Sequence, residues 1–352
     1  MKKLKFGPIV IASTIAGMLA MFVVFRMLAR YTGGRLPQVV IWSFSFLMLP
    51  ACLLTGCIGY FKSPEKTKAF FNTVIIYLLA FDLYSFGWQK ICGLQMVVVR
   101  GMLDMPFNSL DGETLTWAYF RRSYPFTVAI AIAQISGSLL LLFRRTRLLG
   151  VIVIIPILLN IILIDIFYQL HTWVLIHALV LMTGVIYLLM QYLPRLTDFF
   201  LRTPDSLPVI KGKRWQWPLG TLVVILPLFL LATYQYPDKH PWLSGKYRVK
   251  QLLVNGSPVA PKKQADSVLT TVYMDLQDEF VLEFNHYNSR YIGTYKLDEK
   301  DGRISVTWRY PAGFKSRFDG ILQQQDHKNM QFSGRLGNDS LHMQLVYVPE
   351  PK

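Results

Sequence analysis

Leu148-Leu-Gly-Val-Ile-Val-Ile-Ile-Pro-Ile-Leu-Leu-Asn-Ile-Ile-Leu-Ile-Asp-Ile-Phe-Tyr168 is a run of 21 residues with one charged side chain, Asp165. At 1.5 Å per residue a helix of that length covers about 31 Å, the thickness of a bilayer's hydrocarbon core. Six further runs of the same kind occupy 8–25, 38–61, 69–89, 125–143, 172–193 and 217–234, and the series stops near Tyr236. Beyond it the sequence alternates with period two. Ile304, Val306 and Trp308 interleave with Arg303, Ser305, Thr307 and Arg309, and Leu341, Met343, Leu345 and Tyr347 interleave with His342, Gln344 and Val346. Such alternation marks half-buried strands, and Asn255-Gly256, Asp301-Gly302 and Gly337-Asn338-Asp339 supply the hairpin turns between them. The chain therefore reads as a polytopic α-helical membrane protein of about seven transmembrane helices. It carries a C-terminal antiparallel all-β domain of six to eight strands, a small barrel or a lipocalin-like one.

Composition and charge agree with this class. Of 352 residues, 53% are hydrophobic, yet the net charge is +16. A nucleic-acid partner would need that charge on a water-exposed domain, but residues 1–237 hold 21 Lys and Arg against 8 Asp and Glu, while 238–352 hold 16 against 13. The excess belongs to the membrane half. Within it, 14 of the 21 basic residues fall in alternate loops: Lys2, Lys3 and Lys5; Lys62, Lys66 and Lys68; Arg144, Arg145 and Arg147; and Arg195, Arg202, Lys211, Lys213 and Arg214. The positive-inside bias then places the N-terminus in the cytoplasm and, after seven crossings, the β domain outside it, with Arg26, Arg30, Arg35, Arg121 and Arg122 running against the trend. The first run follows Met1-Lys-Lys-Leu-Lys5 and reads as an uncleaved signal anchor, because no small-x-small cleavage site follows it. Lys211-Gly-Lys-Arg214, before the last run, reads as an inner linker touching anionic headgroups. The lipid bilayer is the one certain partner; a membrane or periplasmic protein is a further one, and nucleic acid is excluded.

Three cysteines offer little redox chemistry. Cys52 and Cys57 are five apart on one helix, beyond disulfide reach, and the β domain has none, so its core must hold it. The organisation expected is two N-terminal helices over 1–68, a four-helix unit over 69–200, a linker and last helix over 201–237, and the β domain over 238–352. The segment between about 91 and 124 carries Asp104, Asp111, Glu113, Trp117, Tyr119 and Tyr124. It is too long to be a mere connector.

Polar side chains inside spans are costly, about 2.5 to 3.5 kcal/mol for Asp at a helix centre, so each is a functional candidate. Asp82, Gln134, Asn160 and Asp165 form that set; the competing role is hydrogen bonding between helices. Asp82 and Lys90, eight residues apart, share a helix face. His171 and His177, six apart, do not, so they make a poor metal pair. No HExxH, Walker-type or nucleophile-elbow motif occurs, and no cofactor motif is evident.

Phe86-Gly-Trp-Gln-Lys90-Ile-Cys-Gly-Leu-Gln95-Met, Leu115-Thr-Trp-Ala-Tyr119 and Ser123-Tyr-Pro-Phe126 resemble the DoxX-like family of bacterial membrane proteins. The resemblance continues through Gly137-Ser-Leu-Leu-Leu-Leu-Phe143-Arg-Arg-Thr-Arg147 and Leu159-Asn160-Ile-Ile-Leu-Ile-Asp165. It covers about 69–200 and implies a four-helix membrane unit in a bacterial inner membrane. Some such proteins are linked to quinone-coupled sulfur oxidation. Carried over, Lys90 and Gln95 match a glycine, lysine and glutamine pattern at the outer end of the first core helix, and Tyr119 and Tyr124 match the loop motif before the second. Gln134 stands where relatives often have glutamate. The tail from Gly245-Lys-Tyr247 looks like the extracytoplasmic extension of larger members.

Three functions follow as expectations. The first is an accessory protein whose bundle anchors a periplasmic β domain that binds a ligand or partner. The second is a subunit of a quinone-linked oxidoreductase, in which Asp82, Lys90, Gln95, Tyr119 and Tyr124 contact the quinone. In the third, a small solute permeates past Asp82, Asn160 and Asp165. The sequence leaves open whether the protein is an enzyme.

Overall fold

A computed structural model describes residues 6–32, 35–103, 105, 107–203, 213–233, 238–263, 266–314, 316–326 and 328–349. Asp104, Lys211 and the chain around Tyr236 lie outside them. The chain forms two compact units, 1–207 and 208–352.

The first unit is helical. Each apolar run becomes a helix: α1 (Phe6–Tyr31), α2 (Gln38–Phe46) with α3 (Met48–Lys62), α4 (Pro64–Ile91), α7 (Tyr124–Leu142), α8 (Arg147–Phe167) and α9 (Thr172–Met190). Taking α2 and α3 as one span, six helices among the described residues are long and apolar enough to cross a membrane. The short α5 (Arg100–Leu103) and the amphipathic α6 (Gly112–Arg122) fill the long segment, and α10 (Leu193–Thr197) follows α9. Pro64 and Pro125 sit in the first turns of α4 and α7, where their missing N–H groups have no helical partner in any case.

The helices approach closely where side chains are small. A Cβ on Gly150 of α8 would come within 2.9 Å of the Gly137 carbonyl oxygen of α7, and one on Gly87 of α4 would meet Ile135 of α7 at 2.5 Å. Small residues at such crossings let helix backbones pack in lipid, where no hydrophobic force drives them together. Although the sequence sets α1 outside the four-helix unit, α1 packs on α3, α4 and α9. Ala12, Ala16 and Leu19 are buried with Ile75 and Leu79 of α4 and Val185 of α9.

Among the described residues the second unit holds α11 (Lys213–Thr233) and nine strands: β1 (Gly245–Val254), β2 (Ser257–Pro258), β3 (Leu269–Asp275), β4 (Glu279–Phe284), β5 (Arg290–Asp298), β6 (Arg303–Tyr310), β7 (Phe318–Gln324), β8 (Asn329–Leu336) and β9 (Asp339–Val348). The apolar part of α11, Gly220–Thr233, has 14 residues, shorter than the six spans. Apart from β2, a stub on β1, the strands neighbour one another in sequence order, all antiparallel, and β9 pairs back onto β1, so β1 and β3–β9 close an eight-stranded barrel. The three turns expected from sequence lie where expected: Asn255 and Gly256, with φ of 52° and 77°, join β1 to β2, Gly302 (φ 65°) precedes β6, and Gly337 (φ 63°) precedes β9. Register breaks at Val249/Gln251, Leu269/Thr271 and Ile292/Gly293 are bulges that bend strands toward closure.

Barrels of eight strands have an interior that side chains can fill or that can hold one small ligand. Here Tyr247, Phe280, Tyr295, Phe318, Phe332 and Met343 occupy the interior. Phe332 stacks on Phe318 at 4.7 Å, and its ring covers Gly320 and Gly334, which face each other across β7 and β8. The expected small barrel is thus present, closed and with a core of aromatic and aliphatic side chains inside it.

Candidate functional site

A cavity of about 790 Å³ opens among α1, α4, α7, α8 and α9, at the end of the bundle where α1, α4 and α8 finish and α7 and α9 begin. That volume lies within the usual range for ligand sites. Its walls are largely aromatic and aliphatic. Trp42 packs between Phe25 (4.1 Å) and Trp173 (5.0 Å), and Trp117 and Phe120 reach in from α6.

α6 is placed by local hydrogen bonds. Asp111 caps it, accepting from the Thr114 backbone N–H at 2.9 Å and its hydroxyl at 2.8 Å. Those bonds hold the Asp111 carboxyl below the usual carboxylate range. Trp117 donates its indole N–H to Glu113 (3.2 Å), Arg121 donates to the Val98 carbonyl, and the Thr127 hydroxyl donates to the Phe120 carbonyl at 2.9 Å. The amphipathic helix thus presents Trp117 and Phe120 to the cavity while its charged residues stay at the surface.

Buried polar groups sit in and against these walls. Asp82, fully buried, pairs through one oxygen with Arg26 of α1 and lies 2.6 Å through the other from His177 Nε2 of α9. A carboxylate only accepts, so Nε2 carries the hydrogen, and in the neutral ring Nδ1 is the acceptor. His177 stacks on Phe22 at 4.5 Å, and the Arg26 guanidinium lies 4.0 Å over Phe86. Lys90, 6% exposed, donates to Gln134 Oε1 at 3.0 Å. Asp165 is 3% exposed, and its Oδ2 is buried with no hydrogen-bond partner.

Five of the seven residues singled out by sequence belong to this region. Lys90, Gln95, Asn160 and Asp165 line the cavity, and Asp82 lies behind its wall, tied to Arg26 and His177, which do line it. Tyr119 and Tyr124 fall outside the lining, 64% and 57% exposed. Tyr119 packs edge-on against Phe120 and Phe126 from outside, and Tyr124 donates to the Ile91 carbonyl at 3.0 Å, tying α7 to the end of α4. The physical reason is α6 itself: it turns Trp117 and Phe120 inward and therefore Tyr119 outward. Gln134, a polar candidate inside a span that stands where a glutamate was expected, is the partner of Lys90.

Sequence reasoning missed Arg26, His177 and Trp42. Arg26 looks like a loop charge against the positive-inside trend, but it belongs to a helix that continues to Tyr31. A cation inside one apolar run and an acid inside another is the signal that could have paired it with Asp82.

Beneath the cavity Leu79, Ile154, Val185 and Leu188 pack into the bundle core. The Asn72 and Tyr187 pair, 2.7 Å apart, lies farther along the bundle.

No family model matches the chain, and no solved structure matches it. The uncharacterized protein YwoB of Bacillus subtilis (strain 168) is 31% identical over 87 residues, 25% of this chain and 55% of that protein. The chain thus spans about half the length of the curated relative it matches.

Proposed function

We propose that this is a bacterial inner-membrane protein of the DoxX-like kind. Its bundle binds an amphipathic molecule drawn from the lipid phase, and its β barrel engages a partner outside the cytoplasm. One observation carries this reading. The bundle has a roomy apolar cavity with buried polar groups, whereas the barrel interior is filled by its own side chains. Small-molecule binding is therefore assigned to the bundle, whose cavity is more than twice the volume of the roughly 330 Å³ hollow beside β1 and β3 of the barrel, and the barrel's outer surface is assigned to a protein partner.

Quinone binding is the second reading. It is favoured by the aromatic walls and by Lys90, which offers a donor to a quinone oxygen. Solute permeation has less support, since the packed layer of Leu79, Ile154, Val185 and Leu188 lies beneath the cavity.

The alternation of basic loops supports a cytoplasmic N-terminus and an extracytoplasmic barrel, provided α11 crosses. Leu222, Val223, Val224, Ile225, Phe229 and Leu231 of α11 are all exposed. A helix apolar on every side belongs in lipid or in a large core.

The test is mass spectrometry of small molecules retained by the full-length protein in nanodiscs, compared with Ala133→Trp, which fills the cavity. A lipid-phase molecule present in the native protein and reduced about tenfold in the variant is expected, equivalent to about 1.4 kcal/mol of lost affinity. Equal retention by both would refute the cavity as the binding site.

A further inference from the structure

We propose that the molecule held in the bundle cavity is a zwitterionic membrane lipid, its phosphate paired with Lys90 and its primary ammonium with Asp165; this rests on the reading of the cavity as a ligand site. The charges in and against the cavity are only partly matched by the protein. Arg26 of α1 and His177 of α9 both engage Asp82 of α4, one at each oxygen. That acid is committed. Lys90 has the Gln134 amide at 3.0 Å and, among the described residues, no carboxylate within salt-bridge distance. Asp165 has no basic partner within that distance either, and its Oδ2 is orphaned. Both side chains are more than nine-tenths buried and line the same cavity without pairing with each other.

A buried ammonium and a buried carboxyl without counter-ions are each costly, and a ligand carrying one anion and one cationic donor relieves both at once. Depth points to the same class. Lys90 is the second-last residue of α4, and Asp165 is third from the end of α8. Both ends belong to the same end of the bundle, at the boundary where lipid headgroups lie. Farther in, Leu83, Leu158 and Leu181 offer an apolar wall to an acyl chain.

Other heads satisfy less. A quinone gives Lys90 an acceptor but brings Asp165 no cation. Fatty acids and phosphatidylglycerol pair with Lys90 but bring no cation for Asp165. A trimethylated ammonium carries charge but has no N–H to donate to the orphaned oxygen.

These differences define the experiment. The full-length protein is placed in nanodiscs of equimolar phosphatidylethanolamine, phosphatidylcholine and phosphatidylglycerol, with a short-chain quinone added, and the retained molecules are counted by native mass spectrometry. Phosphatidylethanolamine is expected to exceed each of the other two lipids by at least about fivefold, close to 1 kcal/mol. Asp165→Asn should bring it level with phosphatidylcholine, and Lys90→Met should abolish its retention.

Equal retention of the three lipids by the native protein overturns the proposal, as does an Asp165→Asn variant that keeps the full preference. If either variant fails to fold, the native ratio of phosphatidylethanolamine to phosphatidylcholine decides alone. Ala133→Trp separates the two levels of the reading. Phosphatidylethanolamine retained undiminished by that variant is bound outside the cavity, which defeats the zwitterion inference. Quinone retained in place of lipid, and lost in that variant, overturns the lipid while the cavity stands as the ligand site. No molecule lost in that variant defeats both.

Discussion

Asp82 is the residue on which the candidate site depends most, because it balances two groups from two other helices. Removing its charge leaves the Arg26 guanidinium buried without its acid, and truncating one partner of such a pair costs on the order of 3 to 5 kcal/mol. Asp82→Asn should therefore lower the thermal midpoint of the detergent-solubilised protein by several degrees, and Arg26→Met in the same chain should restore part of the loss. A single variant that melts with the native protein would show that the cluster contributes little to stability. In the barrel, Tyr247 is buried and donates its hydroxyl to the Leu243 carbonyl at 2.7 Å. Burial, with Tyr347 beside it, pushes this phenol up to about 12 from its ordinary 10.0, and burial raises Tyr295 as well. A raised folded-state value stabilises the protonated form. The contribution of Tyr247 is thus fully present below pH 10 and is lost as pH climbs through about 12. Alkaline titration followed by near-ultraviolet circular dichroism should show the barrel loosening in that window, and Tyr247→Phe should be less stable at neutral pH but shallower in its alkaline loss. An unchanged alkaline slope would assign the transition to other groups.

At the scale of elements, both units rely on glycine where two backbones meet, for different reasons. In the bundle, Gly137 and Gly150 let the backbones of α7 and α8 come into van der Waals contact. In the barrel, Gly320 and Gly334 make room for the Phe332 ring inside a closed sheet. A Cβ on Gly334 would come within 2.5 Å of the Phe332 Cζ and 2.6 Å of the Gly320 Cα. Gly334→Val is expected to eject the ring and overpack the layer around Phe318, at roughly 1 to 3 kcal/mol or more. The barrel's tertiary circular dichroism should melt earlier while the helical signal is retained; identical melting would mean that the ring has another place to go.

At the scale of the molecule, α11 decides the side on which the barrel lies. Six crossings return the chain to the side of its N-terminus, and a seventh carries the barrel across. With Cys52, Cys57 and Cys92 replaced by Ser and Gln344→Cys placed on the outer face of β9, a membrane-impermeant maleimide should label intact spheroplasts as fully as lysed ones. Labelling only after lysis would place the barrel in the cytoplasm and reduce α11 to a surface helix.

The sequence by itself determined the division into apolar helices and an antiparallel β domain. Those features are written in local periods: uninterrupted runs long enough to span lipid, two-residue alternation, and Asn-Gly or Asp-Gly pairs that favour positive φ. It also marked Lys90, Asp165 and Asp82, because an ionisable group in an apolar run is conspicuous wherever the helix goes. Only the tertiary structure decided that α1 belongs to the bundle core, that Arg26 and His177 share Asp82, and that Tyr119 turns away while Trp117 turns inward. Those outcomes depend on which helix faces meet, and partners such as Asp82 and His177 stand 95 residues apart in the chain. The same holds for the barrel: strand alternation announced an inner face, but an eight-stranded barrel can be filled or can hold a ligand, and how Phe318, Phe332 and Tyr295 pack once β9 closes on β1 was decided by the tertiary structure.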